Sequence, residues 1–95
     1  ELLRESNDEL DQMLIEKLAQ RMEIARQIGI YKKENNITIL QRSRWDEIIH
    51  DRLAYGKSRG LSEDILGDIL KMIHQESIRH QERIMNESVE EKARN

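Results

Sequence analysis

Ninety-five residues make one small domain, and 37% hydrophobic content with no Phe, one Trp and two Tyr leaves an isolated monomer little to bury. With no Cys there is no disulfide and no thiolate metal site, so oligomerisation is the remaining route to a sufficient core. Charged residues make up another 37%, but their signs are mixed and the net charge is -3, so the basic stripe that nucleic acid requires is missing; no apolar run nears the roughly 20 residues of a membrane span.

The first element in chain order is a helix from about Leu2 to Glu34. The chain opens at Glu1 already in helical pattern, without Met, cap or signal peptide, which is compatible with a domain excised from a longer polypeptide. The lack of cysteine fits the cytoplasm. At about 100° per residue, Leu3, Leu10, Leu14, Leu18, Ala25 and Ile28 form one stripe about 80° wide. Arg21 and Lys32 fall within that stripe, where the alternation calls for Leu or Ile. A single cation there could snorkel to the edge or pair with a buried carboxylate. Two of them, about 16 Å apart along the axis, would each need an escape, and unpaired buried charge is costly. The stripe therefore predicts an anion facing it, either a carboxylate of the protein or a ligand.

Asn35-Asn36 ends the first helix with residues that tolerate the left-handed conformation, and Ile37-Thr38-Ile39 continues as a short β-branched connection. A second helix is predicted from about Gln41 to Lys57, with Trp45, Ile48, Ile49 and Leu53 inward and Gly56 and Gly60 marking its end. Ser62 reads as an N-cap followed by Glu63 and Asp64, and Leu61 and Leu66 have the spacing of a hydrophobic staple. The third helix is expected to reach about Glu87, leaving 88–95 as a frayed tail of a single domain spanning 1–95. No strand pattern or repeat is present, so the fold class is all-α. A first helix of about 33 residues is roughly 50 Å long, whereas a compact chain of this size has a radius of gyration of about 12–13 Å. Its two shorter partners cannot cover it. The geometry calls for a second copy, in an interwoven two-fold homodimer.

On the third helix Leu66, Leu70, Ile73 and Ile84 make the apolar stripe, and Ser77 and Gln81 fill its open slots. The two stripes thus aim two cations and two neutral hydrogen-bonding groups inward, with no carboxylate on either. That set describes a pocket for a small anion bearing more than one carboxylate. It is not a metal site, which would need inward Asp, Glu or His, and neither Ser77 nor Lys32 has a partnered base for nucleophilic chemistry. His50, His74 and His80 read as surface or rim positions.

These residues carry a resemblance. From Arg4 to Gln81, without a gap, the chain resembles the all-helical class of chorismate mutase. That family has an Arg near the start of its first helix, a second Arg and then a Lys further along it, and Arg4, Arg21 and Lys32 stand at those spacings. Arg44 matches an Arg near the start of the second helix, and Ser77 and Gln81 match a Ser followed four residues later by Gln on the third.

The resemblance implies an isomerase that converts chorismate to prephenate by a [3,3] Claisen rearrangement in phenylalanine and tyrosine biosynthesis, without cofactor or covalent intermediate. It implies that Arg21 and Arg4 clamp the two carboxylates with Ser77 and Arg44 assisting, and that Lys32 and Gln81 donate to the ether oxygen as charge builds there. Because Arg4 lies so far from Arg21 along one helix, it is expected in trans, from the partner of the homodimer. Some members carry carboxylates at the positions of Gln41 and Trp45, holding the ring hydroxyl; here Gln41 is an amide that can still accept from and donate to the substrate, and Trp45 an indole with only an N–H to offer. Family domains also occur fused to other enzymes of the pathway, including prephenate dehydratase and the synthase that opens the shikimate route. The reading from another class is a non-catalytic helical module for dimerisation or effector binding, which would form the dimer without turnover.

Overall fold

The computed structural model describes residues 1–39 and 42–94, with side chains through 87 apart from those at 42 and 43. Three helices account for almost all of it: α1 (Leu2–Glu34), α2 (Arg42–Ser58) and α3 (Glu63–Arg94), with no strand among the described residues. α1 stops where the paired asparagines predict, because Asn36 adopts the left-handed conformation with φ 55° and the Ile37 amide returns to the Lys32 carbonyl at 2.8 Å. α2 runs to Ser58, and the following Gly60 takes a φ of 82° that an L side chain rarely adopts. Gly56 does not end the helix. It is buried within α2, where a Cβ would overlap Leu66 of α3 and approach Leu61, so the missing side chain lets both leucines close the α2–α3 corner. Ser62 caps α3 as expected, its hydroxyl accepting the Ile65 amide at 3.2 Å. α3 itself continues to Arg94, past the end expected near Glu87.

α3 is the hub, packing against both α1 and α2. Contacts from Met22 to Ser77 and from Gly29 to Gln81 show that α1 and α3 run side by side in the same direction. α2 returns antiparallel, with Trp45, Ile48, Ile49 and Leu53 half-buried on the expected face. The single chain is elongated, 58 × 32 × 17 Å with a radius of gyration of 17.0 Å, against about 12–13 Å for a compact chain of this length.

Its core is correspondingly thin. Among the described residues Ala25 is the one buried hydrophobic side chain, at 2% exposure. The N-terminal half of the α1 stripe, expected to face a core, is bare in one chain: Leu3 is 78% exposed, Leu10 55% and Leu14 62%. The reason is geometric, since α3 reaches only the later part of α1. Among the described residues no helix is long and apolar enough to cross a membrane.

Candidate active site

Where the three helices meet near the C-terminal end of α1, they enclose a cavity of about 250 Å³, at the small end of ligand pockets. α1 contributes Arg21, Ile28 and Lys32; α2 contributes Arg44, Trp45, Ile48 and Arg52; α3 contributes His74, Ile78 and Gln81, and Ile39 closes one side. Among the described residues four cations therefore line it and no carboxylate does. This is an inverted local charge in a chain whose net charge is -3. Among the described residues, no carboxylate lies within ion-pairing distance of Arg21 or Lys32, so of the two anions the stripe could face, a protein carboxylate is not the one present.

Lys32 and Gln81 are joined at the bottom of this space. The Lys32 ammonium donates to Gln81 Oε1 at 3.1 Å and to the Ile39 carbonyl at 2.9 Å. An ammonium has donors only, so its partner on the amide must be the oxygen, and the Gln81 NH₂ is turned away from Lys32. Described residues engage two of the three Lys32 protons and leave the third free of them. Gln81 is only 7% exposed, and Lys32 is half-buried with its pKa held below the ordinary lysine value by that burial. The depth of Gln81 follows from Gly29, because a Cβ there would stand 3.0 Å from the Gln81 Cα. With a glycine on α1, the two backbones meet closely enough for Lys32, one turn on, to reach across.

On α3 the cavity-facing residues His74, Ile78 and Gln81 repeat at helical spacing. Ser77, buried to 6% exposure, points past the cavity wall toward α1, its hydroxyl 4.0 Å from Met22 Sδ. His74 is half-buried at the cavity wall, and its ring stacks on Trp45 with centroids 3.8 Å apart and planes 11° from parallel. Burial first, then the positive charges of Arg21 and Lys32, push its pKa below the ordinary imidazole value.

Of the seven residues singled out from the sequence, the fold brings Arg21, Lys32, Arg44 and Gln81 to this one cavity. Ser77 is adjacent but does not line it. Arg4 is fully exposed on the projecting end of α1, 3.8 Å from Glu1, and Gln41 lies outside the described residues. Three contributors escaped the sequence reading. Arg52 lies two turns after Arg44 on the same face of α2, a legible signal. His74 is in phase with Gln81, two turns earlier, yet its partner Trp45 comes from a different helix. Gly29 had no signal at all, since close approach of two backbones is a tertiary fact.

The family model described as "Chorismate mutase type II" matches residues 3–82 of the chain. The chain belongs to the chorismate mutase type II family. It is similar to the T-protein of Haemophilus influenzae (strain ATCC 51907 / DSM 11121 / KW20 / Rd), with 31% identity over 75 residues. That alignment covers 79% of this chain but 20% of the T-protein, so the chain spans about a fifth of the length of that relative. No solved structure matches it to a significant degree. The match to the type II family spans every residue that lines the cavity.

Proposed function

We propose that this domain converts chorismate to prephenate, supplying the mutase step of phenylalanine and tyrosine biosynthesis. The observation that carries the reading is the Lys32–Gln81 hydrogen bond inside a cavity whose described lining has four cations and no carboxylate. It leaves one ammonium proton and the amide NH₂ unspent, which is the pair of donors a breaking ether bond requires. In the rearrangement the ether C–O bond breaks as a new C–C bond forms across the same six atoms, and no proton or electron leaves the substrate. Nothing has to be abstracted, which suits a site with donors and no base beside a nucleophile. Arg21 and Arg44 bind the carboxylates and hold the enolpyruvyl arm over the ring, converting binding energy into the reactive conformer. As negative charge grows on the ether oxygen, Lys32 and Gln81 stabilise it with dipoles already in place.

The working unit of this proposal is an interwoven two-fold homodimer. One chain exposes Leu3, Leu10, Leu14 and Leu18 together with an apolar trough of about 430 Å³ between α1 and α3, lined by Met22, Ile69, Met72 and Ile73 among others. Fully covering an exposed leucine contributes about 1.5–3 kcal/mol, so the area that these four, 41–78% exposed, still show offers about 3.5–7 kcal/mol, a large share of the stability of a typical domain. Ala25 alone cannot supply that. Arg4 lies roughly 25 Å from Arg21 along α1, beyond the reach of one small substrate. In a dimer whose first helices run antiparallel, the partner subunit's Arg4 completes the carboxylate clamp, with Ser77 at its edge. The length of the T-protein supports reading the matched segment as a module that also occurs within longer polypeptides.

The direct test follows chorismate loss by ultraviolet absorbance with purified, folded protein. Turnover far above the spontaneous rate is expected, and a folded dimer with none would sink the proposal.

A further inference from the structure

We propose that His74, which lines the cavity and stacks on Trp45, is the hydrogen-bond acceptor that selects the ring hydroxyl of the substrate; the assignment rests on the mutase reading above. A hydroxyl that is to be recognised needs an acceptor for its proton, and among the described residues the cavity walls are poor in acceptors. Arg21, Lys32, Arg44 and Arg52 are donors only, as is the Trp45 indole. The Ile39 carbonyl and Gln81 Oε1 each already accept from Lys32, so among the described lining residues His74 is the acceptor group that no other residue engages. No hydrogen bond to another described residue engages it, and a neutral imidazole always carries one bare nitrogen.

Geometry makes that nitrogen usable. Stacking at 3.8 Å and 11° covers one face of the imidazole and leaves uncovered by Trp45 the ring edge, where both nitrogens lie. His74 lines the cavity face of α3 two turns before Gln81; the ring hydroxyl stands on the carbon next to the ether carbon, so the two side chains would converge on neighbouring oxygens of one substrate. The surroundings keep the ring neutral: burial and the neighbouring Arg21 and Lys32 charges all oppose its protonation. Trp45 is then a positioning residue, fixing the imidazole plane from the neighbouring helix, at the position where some family members place a carboxylate.

Two bicyclic dicarboxylate mimics of the transition state, identical except that one lacks the ring hydroxyl, separate this role from a packing role. Calorimetric titration of the wild-type dimer is expected to show about 2- to 10-fold tighter binding of the hydroxylated compound, the range for one neutral hydrogen bond. His74→Phe, which keeps an aromatic ring against Trp45, should bind both compounds equally, with affinity for the hydroxyl-free one retained. His74→Gln, which restores an acceptor, should recover part of the preference and guards against a folding artefact in the first variant. A residue that only packed would weaken both compounds alike. Retention of the wild-type ratio in His74→Phe, or loss of the ratio in Gln41→Leu instead, overturns the assignment. A wild-type protein that binds both compounds with equal affinity refutes the His74 role alone, whereas one that binds neither refutes the mutase reading together with it.

Discussion

Gly29→Ala should separate stability from catalysis at the point where α1 and α3 touch. The new Cβ would lie 3.0 Å from the Gln81 Cα and 3.4 Å from its carbonyl oxygen, while ordinary contact begins at about 3.4 Å. The obstacle is backbone, so relief requires α3 to move away by about 0.4 Å. That displacement stretches the Lys32–Gln81 hydrogen bond from 3.1 Å to about 3.5 Å, the outer limit of a useful bond. If a misplacement of about 1 Å costs about 10²-fold in rate, 0.4 Å costs about 5- to 10-fold. Stability should change less in proportion: alanine contributes about 0.5–1 kcal/mol of helix propensity, offset by about 1–3 kcal/mol of crowding. Gly67→Ala is the control, because its Cβ would meet only Leu53 Cδ2 at an ordinary 3.9 Å. Chorismate consumption and thermal melts of both variants should show Gly67→Ala at full kcat and no less stable, and Gly29→Ala slowed. Full kcat in Gly29→Ala would refute the claim that the α1–α3 spacing sets the donor geometry.

Gln81→Ala should lower kcat by about 10²–10³, the usual cost of one preorganised donor, and a loss under about fivefold would remove it from the reaction; Gln81→Glu should be impaired at neutral pH and recover toward the carboxylate range of about 4–5, since a carboxyl group donates only when protonated. Arg21→Met should abolish turnover while leaving the unliganded melting temperature unchanged or higher, because the exposed guanidinium has no carboxylate partner among the described residues; a collapse in stability would give Arg21 a structural role instead. His74 is held below its ordinary value of about 6.5, so the unfolded chain takes up that proton first. Its contribution to stability is fully present above about pH 6.5 and is lost as pH falls through the lower folded value; His74→Phe should flatten this part of the melting-temperature profile, and an unchanged slope would contradict it. Refolding an equal mixture of Arg4→Ala and Arg21→Ala should restore about a quarter of wild-type activity per site, since half the dimers are mixed and half their sites are whole, whereas mixtures that stay inactive would rule out a shared site.

The three helices and most of their ends were readable from the chain because local rules set them. Ser62 caps α3 through its own side chain, and Asn36 and Gly60 supply the left-handed turns at the helix ends. Periodicity alone also placed Arg21, Lys32 and Gln81 on inward stripes, since side-chain direction on a helix follows from residue number. What it could not give is how far each stripe is covered. Leu3 and Ala25 belong to one stripe, yet one is 78% exposed in the single chain and the other 2%, because coverage depends on where α3 crosses. For the same reason Gly56 reads as a terminator but serves as a packing notch, and His74 reads as a rim residue but stacks on Trp45 across the α2–α3 contact. The sequence by itself determined which residues share a helical face and carry charge there. Only the tertiary structure decided which faces meet, because a cavity and its hydrogen bonds depend on distances between helices, which no periodicity encodes.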